Sequence, residues 1–142
     1  MRHVISVTVE NKPGVLAHIS SLFAARGYSI DSLAVGETEN PAISRMTIVT
    51  RGDDQIIEQI TKQLRKLVST LKVQDLSDAD FIERDLALVK VNVPAGKRGE
   101  VLEIVDIFRG KIVDVGQKDL VIELSGQESK IQALVDLLKP YG

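Results

Sequence analysis

His3-Val4-Ile5-Ser6-Val7-Thr8-Val9, running directly into Glu10-Asn11-Lys12-Pro13-Gly14-Val15-Leu16, is the stretch on which the fold turns. The first run is rich in β-branched residues and alternates apolar with polar in its second half, which predicts a half-buried strand. Val15, Leu16, Ile19, Leu22 and Phe23 then recur at helical spacing, and Gly27 supplies a left-handed stop. A strand therefore feeds a helix through a turn that carries both proline and glycine.

Reading outward, Tyr28 to Val35 predicts a strand, Gly36 to Pro41 a polar loop and Ala42 to Thr50 the returning strand. Asp53 or Asp54 can cap a second helix carrying Ile56, Ile57, Ile60, Leu64 and Leu67, and Leu71 to Val73 makes a short strand after it. That order is βαββαβ. Ser77-Asp78-Ala79-Asp80 has the composition of a linker, and the sequence of elements then starts again. Ile82 to Val93 predicts a strand broken by Pro94 to Gly96, and Val101, Leu102, Val105 and Phe108 a helix ended by Gly110. Lys111 to Val115 and Leu120 to Leu124 are strands around a turn at Gly116 to Asp119, and Ile131, Leu134, Val135 and Leu138 mark a last helix before Pro140-Tyr141-Gly142. The expectation is an α+β chain of two tandem ferredoxin-like domains, residues 1–76 and 77–142, the second lacking its last strand. Losing that strand would leave Ile82 to Val93 as an exposed or partner-covered edge.

Bulk composition narrows the function. The 142 residues are 44% hydrophobic, 27% charged and 4% aromatic, with a formal net charge of −2. That balance gives no electrostatic footprint for nucleic acid or anionic lipid. Without cysteine there is no disulfide, thiolate nucleophile or cysteine zinc site. No signal-peptide pattern is visible, and no apolar run reaches the roughly 20 residues that span a bilayer. A cytoplasmic protein is expected. His3, at the edge of the first strand, and His18, on the first helix, have no partner at metal-ligand spacing and read as surface histidines. Asp53-Asp54 and Asp78-Asp80 are explained by capping and solubility. Gly96-Lys97-Arg98-Gly99 lacks the pattern of a phosphate loop and reads as a helix entry with two solvated cations. No catalytic or metal-binding residue is expected.

The first turn is the remaining candidate. Pro13 presets the backbone for a first helical turn, and Gly14 lets a ligand approach without a Cβ in the way. The N–H groups of Gly14, Val15 and Leu16, aided by the helix dipole, could hold a carboxylate. Asn11 could offer its carbonyl oxygen to an ammonium or its amide N–H to a carboxylate.

Ile5 to Leu16 resembles the opening of an ACT domain, the βαββαβ module that binds amino acids at domain interfaces. Four stretches, Glu10 to Leu16, Leu22 to Ile30, Ser44 to Ile48 and Ile107 to Val115, resemble the small regulatory subunit of acetolactate synthase (acetohydroxyacid synthase). The resemblance implies a non-catalytic subunit that associates with a catalytic large subunit, raises its activity and confers feedback inhibition by valine or a related branched-chain amino acid. Thiamine diphosphate, Mg²⁺ and FAD would belong to that partner, and no cofactor to this chain. It also implies a homodimer through the ACT domains, with effector held by Asn11, Gly14, Val15 and Leu16 of one chain and Ser29 and Ile30 of the other. Bacterial members often carry asparagine where this chain has Ser29, whose hydroxyl offers fewer hydrogen bonds. The family's second domain normally continues past a Lys-Pro-Tyr-Gly-like stop, so a shortened or incompletely represented copy is expected here. The alternative is a free-standing ACT sensor controlling transcription or another enzyme.

Overall fold

In the computed structural model, which describes residues 1–142, the opening alternation becomes strand β1 (Arg2–Glu10), followed by helix α1 (Val15–Ala25). Strands β2 (Ser32–Glu37) and β3 (Ile43–Arg51), helix α2 (Asp54–Arg65) and strand β4 (Thr70–Asp75) complete a unit spanning Met1–Phe81. Its antiparallel sheet has the order β2-β3-β1-β4, with β1 and β3 central. Register places Ile5 opposite Ile48 and Val7 opposite both Met46 and Val73, so the apolar positions stack on one face.

Both helices cover that face. Val15, Ile19, Leu22 and Phe23 of α1 and Ile57, Ile60 and Leu64 of α2 are buried against the strands. Leu16, expected within the same stripe, is 42% exposed because it sits at the outer margin of the apolar arc. Asp53 decides the start of α2, since its carboxylate accepts the Ile56 N–H at 2.8 Å. Asp53→Ala is expected to lower unfolding stability by about 1 kcal/mol, read as a lower urea midpoint at unchanged slope.

His3 departs from the sequence reading. It is 2% exposed, because β1 is flanked by a strand on each side and the start of α2 lies over its first residues. Its Nδ1 lies 3.1 Å from Asp75 Oδ2. Burial alone would raise the Asp75 pKa, but the Ser77 N–H and hydroxyl, together with His3, outweigh it and hold the carboxyl below its usual range. A lowered folded pKa gives stability that is present above the unfolded carboxylate value and lost as pH falls through the folded one. Asp75→Asn is therefore expected to be less stable than the parent near pH 7, with the gap closing between about pH 5 and 2 in urea melts.

The second unit, Ile82–Gly142, repeats βαββα: β5 (Asp85–Asn92), α3 (Arg98–Ile107), β6 (Lys111–Val115), β7 (Asp119–Gly126) and α4 (Glu128–Leu138), with a 3₁₀ turn at Lys139–Tyr141. Its three strands lie in the order β5-β7-β6, so β5 is an edge strand, as the missing fourth strand requires, with Leu86 and Leu88 exposed on it. Val91, Val101, Val105, Ile122, Leu124 and Leu134 form its separate core. After α3 the left-handed residue is Arg109 (φ 59°), not glycine. Gly110 serves close packing instead, since a Cβ there would lie 3.2 Å from Val105 Cγ1 and 3.3 Å from the Glu123 carbonyl oxygen.

Candidate effector site

Pro13 does not enter the helix. Lys12 to Val15 form a type II turn in which Gly14 takes φ 85° and ψ −8°, and the Val15 N–H donates to the Lys12 carbonyl at 3.4 Å. Glycine is needed there for that left-handed conformation, whereas a Cβ would meet nothing within 4 Å. The first intrahelical bond runs from the His18 N–H to the Gly14 carbonyl at 3.0 Å. No side chain caps α1, and its first turn holds no acidic residue. Val15 thus drops out of the expected donor set, and the Leu16 and Ala17 N–H groups, which precede the first intrahelical bond, are the helix-end donors.

Asn11 is oriented by its surroundings. Its backbone N–H donates to the Ala42 carbonyl at 2.8 Å, tying the end of β1 to the β2–β3 hairpin. Its side-chain amide donates to the Pro41 carbonyl at 2.8 Å and to Glu37 Oε1 at 3.2 Å. Both partners are acceptors, so the nitrogen must face them and Oδ1 must face away. Of the two roles the sequence allowed Asn11, the fold selects the acceptor, which suits an ammonium. Glu37 and Pro41 lie 26 and 30 residues away, and nothing in the local sequence pointed to them.

Ser29 and Ile30 lie elsewhere. The Ser29 carbonyl accepts the Thr50 hydroxyl at 2.6 Å, and the Asp31 N–H donates to the Val49 carbonyl at 2.8 Å. Since Val49 pairs with Val4 on β1, these residues sit at the opposite end of the sheet from Asn11. Seven residue steps, from Val4 to Asn11, separate the two places, about 23 Å along β1. Within one chain the fold keeps the two halves of the expected site apart. Ile30 packs partly against the core, while Ser29 is exposed.

The profile described as the AHAS small subunit-like ACT domain matches residues 5–72, and that described as the small subunit of acetolactate synthase matches residues 84–142. A probable acetolactate synthase small subunit from Archaeoglobus fulgidus is 50% identical over 142 residues, covering 100% of this chain and 89% of its own. The acetolactate synthase small subunit of Aquifex aeolicus is 54% identical over 142 residues, covering 99% of this chain and 74% of its own. The crystal structure of the acetolactate synthase small subunit from Thermotoga maritima superposes with a TM-score of 0.89 at 44% identity, covering 99% of this chain and 88% of that one.

Proposed function

The chain belongs to the family of acetolactate synthase small subunits, and from that membership we propose that it is a non-catalytic regulatory subunit that activates a catalytic large subunit and makes it answer to valine. The supporting observation is the separation of Asn11 and Gly14 from Ser29 and Ile30 across one sheet. Between them lies the edge strand β2, all six of whose residues are exposed, including Leu33 at 40% and Val35 at 44%. An antiparallel pairing of two β2 edges about a two-fold axis runs the start of one strand alongside the end of the other. Ser29 and Ile30 of one chain then approach Asn11 and Gly14 of its partner, and the site forms twice per homodimer.

The polarity of the turn supports one orientation of the effector. The ammonium of the amino acid faces Asn11 Oδ1, and its carboxylate faces the N–H groups of Leu16 and Ala17 at the positive end of α1. Because effector spans two chains, binding favours one dimer arrangement over another, and the large subunit reads the difference. Such coupling is typically about 1–3 kcal/mol and reciprocal, so the large subunit must also change valine affinity.

The test is large-subunit activity, with and without this chain, across a valine titration. Activation in its presence and inhibition by valine are expected. Asn11→Ala should raise the valine needed for half-inhibition about tenfold, the worth of a hydrogen bond to a charged group. 3-Methyl-2-oxobutanoate, which lacks the ammonium, should inhibit weakly and be indifferent to that substitution. Failure of the chain to co-purify with the large subunit would favour a free-standing sensor.

A further inference from the structure

The second unit has a turn in the position that Asn11 to Gly14 holds in the first. β5 ends at Asn92, and Val93-Pro94-Ala95-Gly96-Lys97 leads into α3, with Gly96 at φ 84° beside the 85° of Gly14. A cavity of about 790 Å³ opens here between this turn and the β6–β7 turn, a volume in the usual range for small-molecule sites.

Its walls are fixed by hydrogen bonds. The Val93 N–H donates to the Lys118 carbonyl at 2.8 Å, the Gly116 N–H to the Asp119 carbonyl at 2.9 Å, and the Arg98 guanidinium to the Gly116 carbonyl. Arg98 is therefore not the solvated cation that its place in a helix-entry loop suggested. In a chain of 20 acidic and 18 basic residues, this cavity is lined by Arg98 and Lys118 and by no acidic side chain. Neither cation has an acidic partner elsewhere in the fold. Val93, Pro94, Ala95 and Tyr141 give the same cavity an apolar wall, and the Tyr141 ring is held in place by its hydroxyl donating to Glu100 at 3.0 Å. Glycine at 96 and 99 leaves the turn's backbone uncovered, since a Cβ at either would meet nothing within 4 Å.

We propose that the second unit carries its own binding site for a small organic anion, with Arg98 and Lys118 taking the charged head and Val93, Pro94, Ala95 and Tyr141 the apolar body. Two unneutralised cations set the charge of the ligand, and the apolar wall sets its other end. This site does not depend on the effector turn of the first unit.

The test is a titration of the full ¹⁵N-labelled chain with 3-methylbutanoate, with inorganic phosphate as a second arm, followed by backbone amide shifts. Saturable shifts at Gly96, Gly99 and Lys118 with 3-methylbutanoate are expected. Lys118→Gln removes the ammonium and leaves the bond from the Val93 N–H to the Lys118 backbone carbonyl in place, and it should weaken binding about tenfold. Arg98→Gln should do the same, and Gly14→Asp should leave these shifts unchanged. Shifts that fail to saturate, or that survive the loss of both cations, would overturn the proposal. So would phosphate acting as well as 3-methylbutanoate, which would reduce the cavity to a charged patch.

Discussion

Gly14→Asp is expected to abolish the response to valine, raising the concentration for half-inhibition by at least about a hundredfold, while the chain still folds and still binds the large subunit. Two effects combine. Gly14 holds φ 85°, where a residue with a Cβ is strained by about 1–2 kcal/mol, although aspartate is among the side chains that tolerate the region best. The larger effect is chemical. An aspartate at the N-cap of α1 places a carboxylate against the same Leu16 and Ala17 N–H groups that are assigned to the effector's carboxylate. The ligand would then meet an occupied site and a like charge. Gly14→Ala separates the two contributions, because it adds the strain without the charge, and it should shift the valine response much less. An unchanged valine titration for Gly14→Asp would remove the turn from the effector site.

Phe23→Ala should destabilise the first unit by about 3–5 kcal/mol, the usual range for deleting a buried aromatic ring. Phe23 is 1% exposed and meets Tyr28 edge to face, with ring centroids 6.4 Å apart at 82°. It comes from the last turns of α1 and belongs to the same buried cluster as the strand residues Ile5, Met46 and Ile48. The two units have separate cores, and each contains one of the chain's two tyrosines, Tyr28 and Tyr141. ¹⁹F spectra of fluorotyrosine-labelled protein in urea should therefore show the Tyr28 resonance moving to a lower midpoint while that of Tyr141 holds. Equal movement of both would mean that the cores are energetically joined.

The elements were legible where their cause was local. Helical spacing of Ile57, Ile60 and Leu64 defined α2, and the run Lys111 to Val115 gave β6 its limits. Strand β2 was placed too early, at Tyr28 in place of Ser32. Residues 28–31 lie ahead of the strand: the Tyr28 N–H bonds back to the Phe23 carbonyl, and the residue-by-residue pairing with β3 starts at Ser32. The depth of His3 was also hidden, because alternation reports which face a side chain takes and not how much lies over that face.

The candidate site divides along the same line. Sequence by itself located the turn, since Pro13-Gly14 follows a β-branched run and precedes an apolar helical stripe, but it took Pro13 into the helix, and the type II conformation emerged only with the structure. Sequence also determined the two-unit repeat and the edge position of β5, which follow from element order alone. Only the tertiary structure decided which end of the Asn11 amide is free, because its partners come from the β2–β3 hairpin, and that Ser29 lies a whole strand away from Gly14. It alone placed Arg98 and Lys118 on one cavity. Backbone preference is a property of neighbours in the chain, whereas the orientation of a side chain and the charge of a cavity are set by residues that only folding brings together.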